Sequence, residues 1–189
     1  RDPKSRSELT TILIQAWFPE KGNEIAESFK YDEFDFVQQS LFDSGGATYT
    51  VDELKDEDQI FVRNAAFRRN VVKLYDQRCA FCKVRVVSWD GVNVVDGAHI
   101  QPFAEFHNDL FVNGLALCKN HHWAFDHGWF GVDDNYRIVI PWERFKEEAA
   151  VESRGMMQFR GEQIELPREE RFIPSVEGLR WHRERWGIA

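Results

Sequence analysis

The chain has 189 residues, 43% of them hydrophobic, with 16 Phe and 7 Trp, so one compact domain can bury a substantial core without disulfides. No apolar stretch approaches the roughly 20 residues that span a bilayer, and the first ten residues lack the apolar region of a secretion signal. A net charge of −8 argues against nucleic-acid binding through overall charge alone. Because the first residue is not Met, we expect a fragment that lacks upstream parts.

Helical patterns dominate the first part of the chain. Apolar residues at helical spacing predict helices over 8–18 and 24–42, and a Ser-Gly-Gly sequence at 44–46 breaks the pattern. An acidic run at 52–58 precedes a third predicted helix over 59–76, which has its own apolar stripe.

The pattern changes to alternation after residue 82. It predicts a β-hairpin over 83–100, with Asp90 and Gly91 as its two-residue turn. Residues 115–126 then predict a short helix. Three further elements are predicted, namely a hairpin around 133–135, a short strand near 162–166 and a last helix over 175–186.

Basic residues are concentrated in the middle of the chain. Residues 1–59 carry 6 basic and 14 acidic side chains (net −8), residues 60–102 carry 7 and 3 (net +4), and residues 103–189 carry 11 and 15 (net −4). The middle segment can contact phosphates, or it can be an ordinary solvated helix face. The candidate nucleic-acid contacts are Arg68, Arg69, Lys83 and Arg85.

The three cysteines indicate a metal site or reduced thiols rather than a disulfide framework, because their number is odd and no secretion signal is visible. Two ligand pairs stand at knuckle spacing, Cys79-x-x-Cys82 and Cys118-x-x-His121. Together they fit a closed tetrahedral zinc site, with His122 as the alternative fourth ligand. Such a zinc would hold together both ends of the central unit.

A second set of residues suits phosphodiester hydrolysis, which needs a base, a cation and a group that holds the base. His99 ends the predicted hairpin, Asn113 lies in the following loop, and His122 lies on the next helix. A neutral imidazole can take a proton from water near pH 7, and an Asn amide can fix the ring orientation. Each histidine alone is more often structural, but the combination favours a site.

These residues support a family resemblance. The stretch RCAFC…VVDGAHIQPF…NGLALCKNHHWAFDHG, within about 65–140, resembles the HNH endonucleases of the ββα-metal superfamily. It is most similar to a subgroup of bacterial predicted restriction enzymes that carries AHI-x-P, NGL-x-LC and H-x-x-FD-x-G. The resemblance implies that His99 is the general base, Asn113 its orienter and His122 a ligand of Mg²⁺ or another divalent ion.

One position departs from the family pattern. Many HNH members carry Asp or His directly before the base histidine as a second metal ligand, whereas this chain has Ala98. Asp96, two residues earlier, and Asp126, on the same helix face as His122, are the candidate replacements. Both also have structural alternatives: Asp96 can bond backbone amides at the hairpin end, and Asp126 can stabilise the turn before Gly128.

We therefore expect an α+β protein built on a zinc-stapled ββα-metal (HNH) unit, with flanking helices and an additional β-hairpin. The expected division is an acidic helical segment over 1–58, the HNH nuclease core over 59–142, and a strand-and-helix extension over 143–189 that packs on the core.

The expected function is metal-dependent cleavage of DNA in the cytoplasm, in restriction or defence. We expect no membrane partner, and cutting both strands is compatible with a homodimer or with a recognition domain missing upstream. One alternative is a non-catalytic zinc-dependent module that binds nucleic acid or protein; Ala98 and the net charge of −8 leave it open, whereas the intact set of His99, Asn113 and His122 argues against it. Another is an enzyme that acts on RNA or on a nicked or modified duplex.

Overall fold

The computed structural model describes three stretches of the chain, residues 31–50, 57–148 and 152–188. The chain divides into two compact units, Arg1–Ser40 and Leu41–Ala189, and the second carries the candidate site. The helix predicted over 8–18 lies outside the described residues. Within the described stretches, no helix is long and apolar enough to cross a membrane.

The helices within the described residues are α1 (Tyr31–Ser44), α2 (Glu57–Leu74), α3 (Phe103–Phe106), α4 (Lys119–Asp126) and α5 (Val176–Trp186). The end of α1 coincides with Gly45 and Gly46, whose φ angles of 81° and 99° suit glycine. At the start of α5, the Ser175 side chain accepts a hydrogen bond from the Gly178 amide. The helices predicted over 59–76 and 175–186 are confirmed as α2 and α5.

The central sheet consists of two antiparallel strands, β1 (Val95–His99) and β2 (Gly114–Cys118). In its register His99 lies opposite Gly114. The loop between the strands contains α3 and a 3-10 turn at Phe111–Asn113. Because the strands are antiparallel, Val95 at the start of β1 lies beside Cys118 at the end of β2, and α4 begins directly after Cys118.

The hairpin predicted over 83–100 is partly confirmed: an isolated antiparallel bridge joins Val87 to Asn93, and the Ser88 amide donates to Val92 O across the turn. The strand that pairs with β1 is nevertheless β2 and not the arm over 83–89. One other prediction in this region was wrong. Residues 115–126 are not one helix, because their first part belongs to β2 and α4 begins at Lys119. The apolar residues of β2 are buried on both faces, and periodicity cannot distinguish such a short apolar run from a buried helix.

The second predicted hairpin is confirmed as β3 (Gly131–Val132) and β4 (Ile138–Val139). Its turn is held by Asp133, whose Oδ1 accepts hydrogen bonds from the backbone amides of Asn135 and Arg137. The strand predicted near 162–166 is reduced to one bridge between Arg137 and Gln163.

A single apolar core joins these elements, and its largest fully buried aromatic rings are Phe67, Phe81, Phe111, Phe125, Phe130 and Phe172. Helix α2 packs so closely on the sheet that two strand positions have no room for a side chain. A Cβ atom at Gly97 would lie 2.8 Å from Arg68 Cα, and one at Gly114 would lie 2.6 Å from Val71 Cγ2. These two glycines therefore set the distance between α2 and the sheet.

We predict that Gly97→Ala lowers the free energy of unfolding by about 1–3 kcal/mol, because the added methyl group meets the backbone of α2. Urea unfolding measures this change. Gly178→Ala is the matched control, since a Cβ there has its nearest neighbour at an ordinary 3.5 Å. An equal loss of stability in the two variants would contradict the close approach of α2 to the sheet.

Candidate active site

Three cysteines and one histidine form a compact group where β2 meets α4. The ligand atoms of Cys79, Cys82, Cys118 and His121 all lie within 4.8 Å of one another. His121 Nδ1 is 3.1 Å from Cys118 Sγ and 3.6 Å from Cys79 Sγ. Bonds of about 2.3 Å to sulfur and 2.0 Å to nitrogen around one tetrahedral zinc place ligand atoms at similar separations. The donor set and its spacing therefore fit a closed four-coordinate metal site.

The electrostatics of this group favour a bound cation. Hydrogen bonds with Cys79 and Cys82 hold the pKa of the Cys118 thiol well below its ordinary value. Burial lowers the pKa of His121, but hydrogen bonds and charge interactions with the sulfurs of Cys118 and Cys82 together outweigh burial and raise it to about 9. A metal ion would replace the protons that these groups share.

Local backbone structure brings the four groups together. The knuckle after Cys79 is closed by hydrogen bonds from the Cys79 amide to Val84 O and from the Lys83 amide to Cys79 O. The Ala80 amide donates to Ala116 O at 2.7 Å, which fixes the knuckle against β2. The group therefore joins the segment after α2 to the start of α4.

His122, the next residue on α4, contacts two carboxylates instead of the cysteines. Its Nδ1 lies 3.6 Å from Asp96 Oδ2, and its Nε2 lies 3.5 Å from Asp126 Oδ2. Both carboxylates singled out in the sequence thus flank His122, but on opposite ring nitrogens. Because an imidazole offers one nitrogen to one ion, a single ion on His122 can be shared with only one of them.

The two carboxylates differ in their surroundings. Asp96 also contacts Lys119 Nζ at 3.0 Å and Arg68 Nη1 at 3.5 Å, and the hydrogen bond to His122 together with these cations holds the pKa of Asp96 below its usual range. Burial instead raises the pKa of Asp126. Asp126 lines a cleft together with His99 and His122, whereas Asp96 is not among the residues that line it.

The His99 ring is held on several sides. It stacks on Phe67 of α2, with the ring centroids 3.9 Å apart and the planes 6° apart. Its Nε2 lies 2.7 Å from Asp109 Oδ1. The side chain is 14% exposed and lines the cleft that it shares with His122. The base candidate and the metal-ligand candidate therefore face one space.

Asn113 makes contacts that differ from the predicted one. Its buried amide group accepts a hydrogen bond from the Gln101 amide and donates to the carbonyl oxygens of Gln101 and Asn108. Both amide hydrogens are thus used by the backbone, and Asn113 organises the loop rather than contacting the His99 ring. The residue at that ring is Asp109, which the sequence analysis missed. Its signal was a carboxylate directly before the apolar run 110–112, four positions before Asn113.

The candidate phosphate contacts are spread over the surface. Arg68 lines the cleft, and Arg69 lines a neighbouring groove with Lys73. Arg85 donates to the carbonyl oxygen of Asp76, and Lys83 is exposed beside the knuckle. The cleft is also lined by Arg185, outside the basic segment of the sequence. Only Arg68 of the four predicted contacts is thus among the residues that line the cleft.

Comparison with known proteins supports the resemblance of the central segment to HNH endonucleases. Residues 79–133 match the family model described as HNH endonuclease, which confirms the predicted resemblance for that segment. The narrower subgroup stays a prediction. Among solved structures, the modification-dependent TagI restriction endonuclease is similar with 24% identity and a TM-score of 0.48, over 69% of this chain and 44% of that one. The present chain thus spans less than half of that protein. No curated protein matches the sequence.

We predict that the chain, purified without chelators, carries about one zinc ion, and that His121→Ala abolishes zinc binding and destabilises the fold. The adjacent His122→Ala is the matched control and should keep its zinc, because its ring lies against carboxylates rather than sulfurs. Elemental analysis and thermal unfolding measure both effects. Loss of zinc in His122→Ala with retention in His121→Ala would contradict this assignment.

Proposed function

We propose that the chain is a metal-dependent HNH endonuclease that hydrolyses DNA phosphodiester bonds, in restriction or defence against foreign DNA. The observation that carries the proposal is the presence of His99, His122 and Asp126 around one cleft. All three residues belong to segment 79–133, which matches the HNH endonuclease family model. A base and a metal-binding pair on one cleft are what phosphodiester hydrolysis requires.

In this proposal His99 takes a proton from water, and the water oxygen attacks the phosphorus atom. Phe67 keeps the imidazole plane fixed through the stacking contact at 3.9 Å. Arg68, at the rim of the same cleft, orients a phosphate of the DNA backbone. The bond to the leaving oxygen breaks, and that oxygen takes up a proton from solvent.

The catalytic divalent ion, Mg²⁺ or a similar one, would be held by His122 Nε2 and Asp126. Such an ion would supply Lewis-acid stabilisation of the charge that develops on the phosphate and the leaving oxygen. Asp96 would accept a hydrogen bond from Nδ1–H of His122 and so keep the Nε2 lone pair available, as carboxylates beside metal-binding histidines commonly do. Asp126 thus takes the role that an acidic residue at position 98 has in many family members.

The group of three cysteines and His121 would hold a structural zinc. Three reduced cysteines at such a site fit the cytoplasm, where we propose that the protein acts. We also retain as proposals the division into an acidic segment over 1–58, a nuclease core over 59–142 and an extension over 143–189. A homodimer or an upstream recognition domain would allow both strands to be cut.

One observation favours a second candidate function, a non-catalytic binding module that uses zinc only as a structural ion. Within the described residues, the cysteine group is the one cluster of three or more candidate metal ligands. Each ring nitrogen of His122 has one carboxylate beside it, and Ala98 offers no metal-ligand atom. Such a module would bind nucleic acid or protein without cleaving it.

We predict that the chain cleaves plasmid DNA in the presence of Mg²⁺ or Mn²⁺ and that His99→Ala lowers the rate about 10²–10⁴-fold, because the base is lost. The control is His127→Ala, since this exposed histidine stacks on Trp123 outside the cleft. Gel analysis with duplex, nicked, modified and RNA substrates measures the rates. Cleavage of none of these, or equal cleavage by His99→Ala, would contradict the proposed nuclease.

We also predict that Arg68→Ala raises KM for DNA and reduces the slope of log affinity against log salt by about one, as expected for one lost phosphate contact. Fluorescence anisotropy at several salt concentrations measures the slope. The control is Arg171→Ala, because Arg171 pairs with Glu169 and does not line the cleft. Identical slopes for the two variants would remove Arg68 from the DNA interface.

A further inference from the structure

Asp109 stands out because its carboxylate is almost completely buried and contacts a single histidine. Its side chain is 4% exposed, and its Oδ1 lies 2.7 Å from His99 Nε2. This distance is typical of a charge-assisted hydrogen bond between imidazole and carboxylate. The other oxygen, Oδ2, is buried without a hydrogen-bond partner among the described residues.

The loop around Asp109 is organised without its side chain. The Asn108 side chain accepts a hydrogen bond from the Leu110 amide, and the Asn113 amide group binds the carbonyl oxygens of Gln101 and Asn108. The backbone amide of Asp109 donates to Ala47 O, which any residue at this position can do. The hydrogen bond that the Asp109 side chain makes within the described chain is therefore the one to His99.

A buried carboxylate with one unpaired oxygen costs stability, so a purely structural account of Asp109 is unsatisfactory. An apolar side chain would fill the same space without that cost. A carboxylate is useful here for a different reason, because it decides which nitrogen of His99 carries the proton. An ionised carboxylate can only accept, so His99 Nε2 must donate.

The other ring nitrogen of His99 is then the one with a free lone pair. Nδ1 has no protein hydrogen bond within the described residues and, unlike Asp109 Oδ2, it is not closed off from solvent. The parallel stack on Phe67 resists rotation of the ring about its Cβ–Cγ bond, which would move Nε2 away from Asp109 and Nδ1 away from its present position. Asp109 and Phe67 together thus determine both the tautomer and the orientation of the base.

We propose that Asp109 is the positioning residue of His99: it holds the Nε2–H tautomer, presents Nδ1 to the attacking water, and stabilises the imidazolium that forms. The proposal rests on the proposed nuclease function. The proton passes from water to Nδ1 while the water oxygen forms its bond to phosphorus. The bond from phosphorus to the leaving oxygen breaks with its electron pair, that oxygen is protonated by solvent, and the imidazolium later returns its proton to solvent.

Two substitutions in the full zinc-loaded chain separate this role from a structural one. Asp109→Asn keeps the shape but removes the charge, and Asp109→Leu removes both the charge and the unpaired oxygen. We expect kcat for plasmid cleavage to fall about 10²–10⁴-fold in both variants with KM changed less than about threefold, since the substrate does not reach Asp109. We expect the thermal midpoint of Asp109→Leu to equal or exceed that of the parent chain.

The tautomer of His99 gives a readout that does not need activity. Nitrogen-15 NMR of the parent chain should show the Nε2–H form of His99, and Asp109→Leu should show a mixture of the two neutral tautomers. An Nδ1–H form in the parent chain, or a parent-like kcat in Asp109→Asn and Asp109→Leu, would overturn the proposal. A parent chain with the expected tautomer but no cleavage of any nucleic acid would overturn the nuclease function and the catalytic part of the proposal, while supporting the tautomer assignment.

Discussion

The orientation of one short helix determines the arrangement of the candidate site. The contact between His121 Nδ1 and Cys118 Sγ, at 3.1 Å, fixes the rotation of α4 about its axis. Successive residues of an α-helix point roughly 100° apart, so His122 must face away from the sulfurs. Asp126, one turn later, then lies beside His122. A helix of eight residues has little stability alone, so the contact with the cysteine group and the burial of Ala124 and Phe125 in the core together keep this orientation.

The second constraint is the close packing of α2 on the sheet, which places His99, the candidate base. Gly114 lies opposite His99 in the ladder, and a Cβ atom there would meet both Val71 and the Phe67 ring. The absence of that atom lets Phe67 lie flat against His99. The cleft therefore combines two independently positioned groups: the base candidate His99, set by α2 and the sheet, and the candidate ligand pair His122 and Asp126, set by α4.

The spacing of Cys79, Cys82, Cys118 and His121 was enough to predict that these side chains form one candidate metal-ligand group, because ligand pairs at knuckle spacing encode a local geometry. Helical periodicity likewise predicted α2 and α5. The strand β2 could not be predicted, since its apolar residues are buried on both faces. The pairing of Asp109 with His99 depends on the conformation of the loop between β1 and β2. Sequence periodicity does not predict the conformation of such a loop.

The central claim is that adjacent histidines on α4 belong to two different metal sites, and anomalous diffraction tests it most directly. Crystals of the chain soaked in manganese would be measured at the zinc and manganese absorption edges. The account predicts a zinc signal among the cysteines and His121, and a separate manganese signal within coordination distance of His122 Nε2 and Asp126. A single metal shared by His121 and His122, or manganese bound on the Asp96 side of His122, would contradict it.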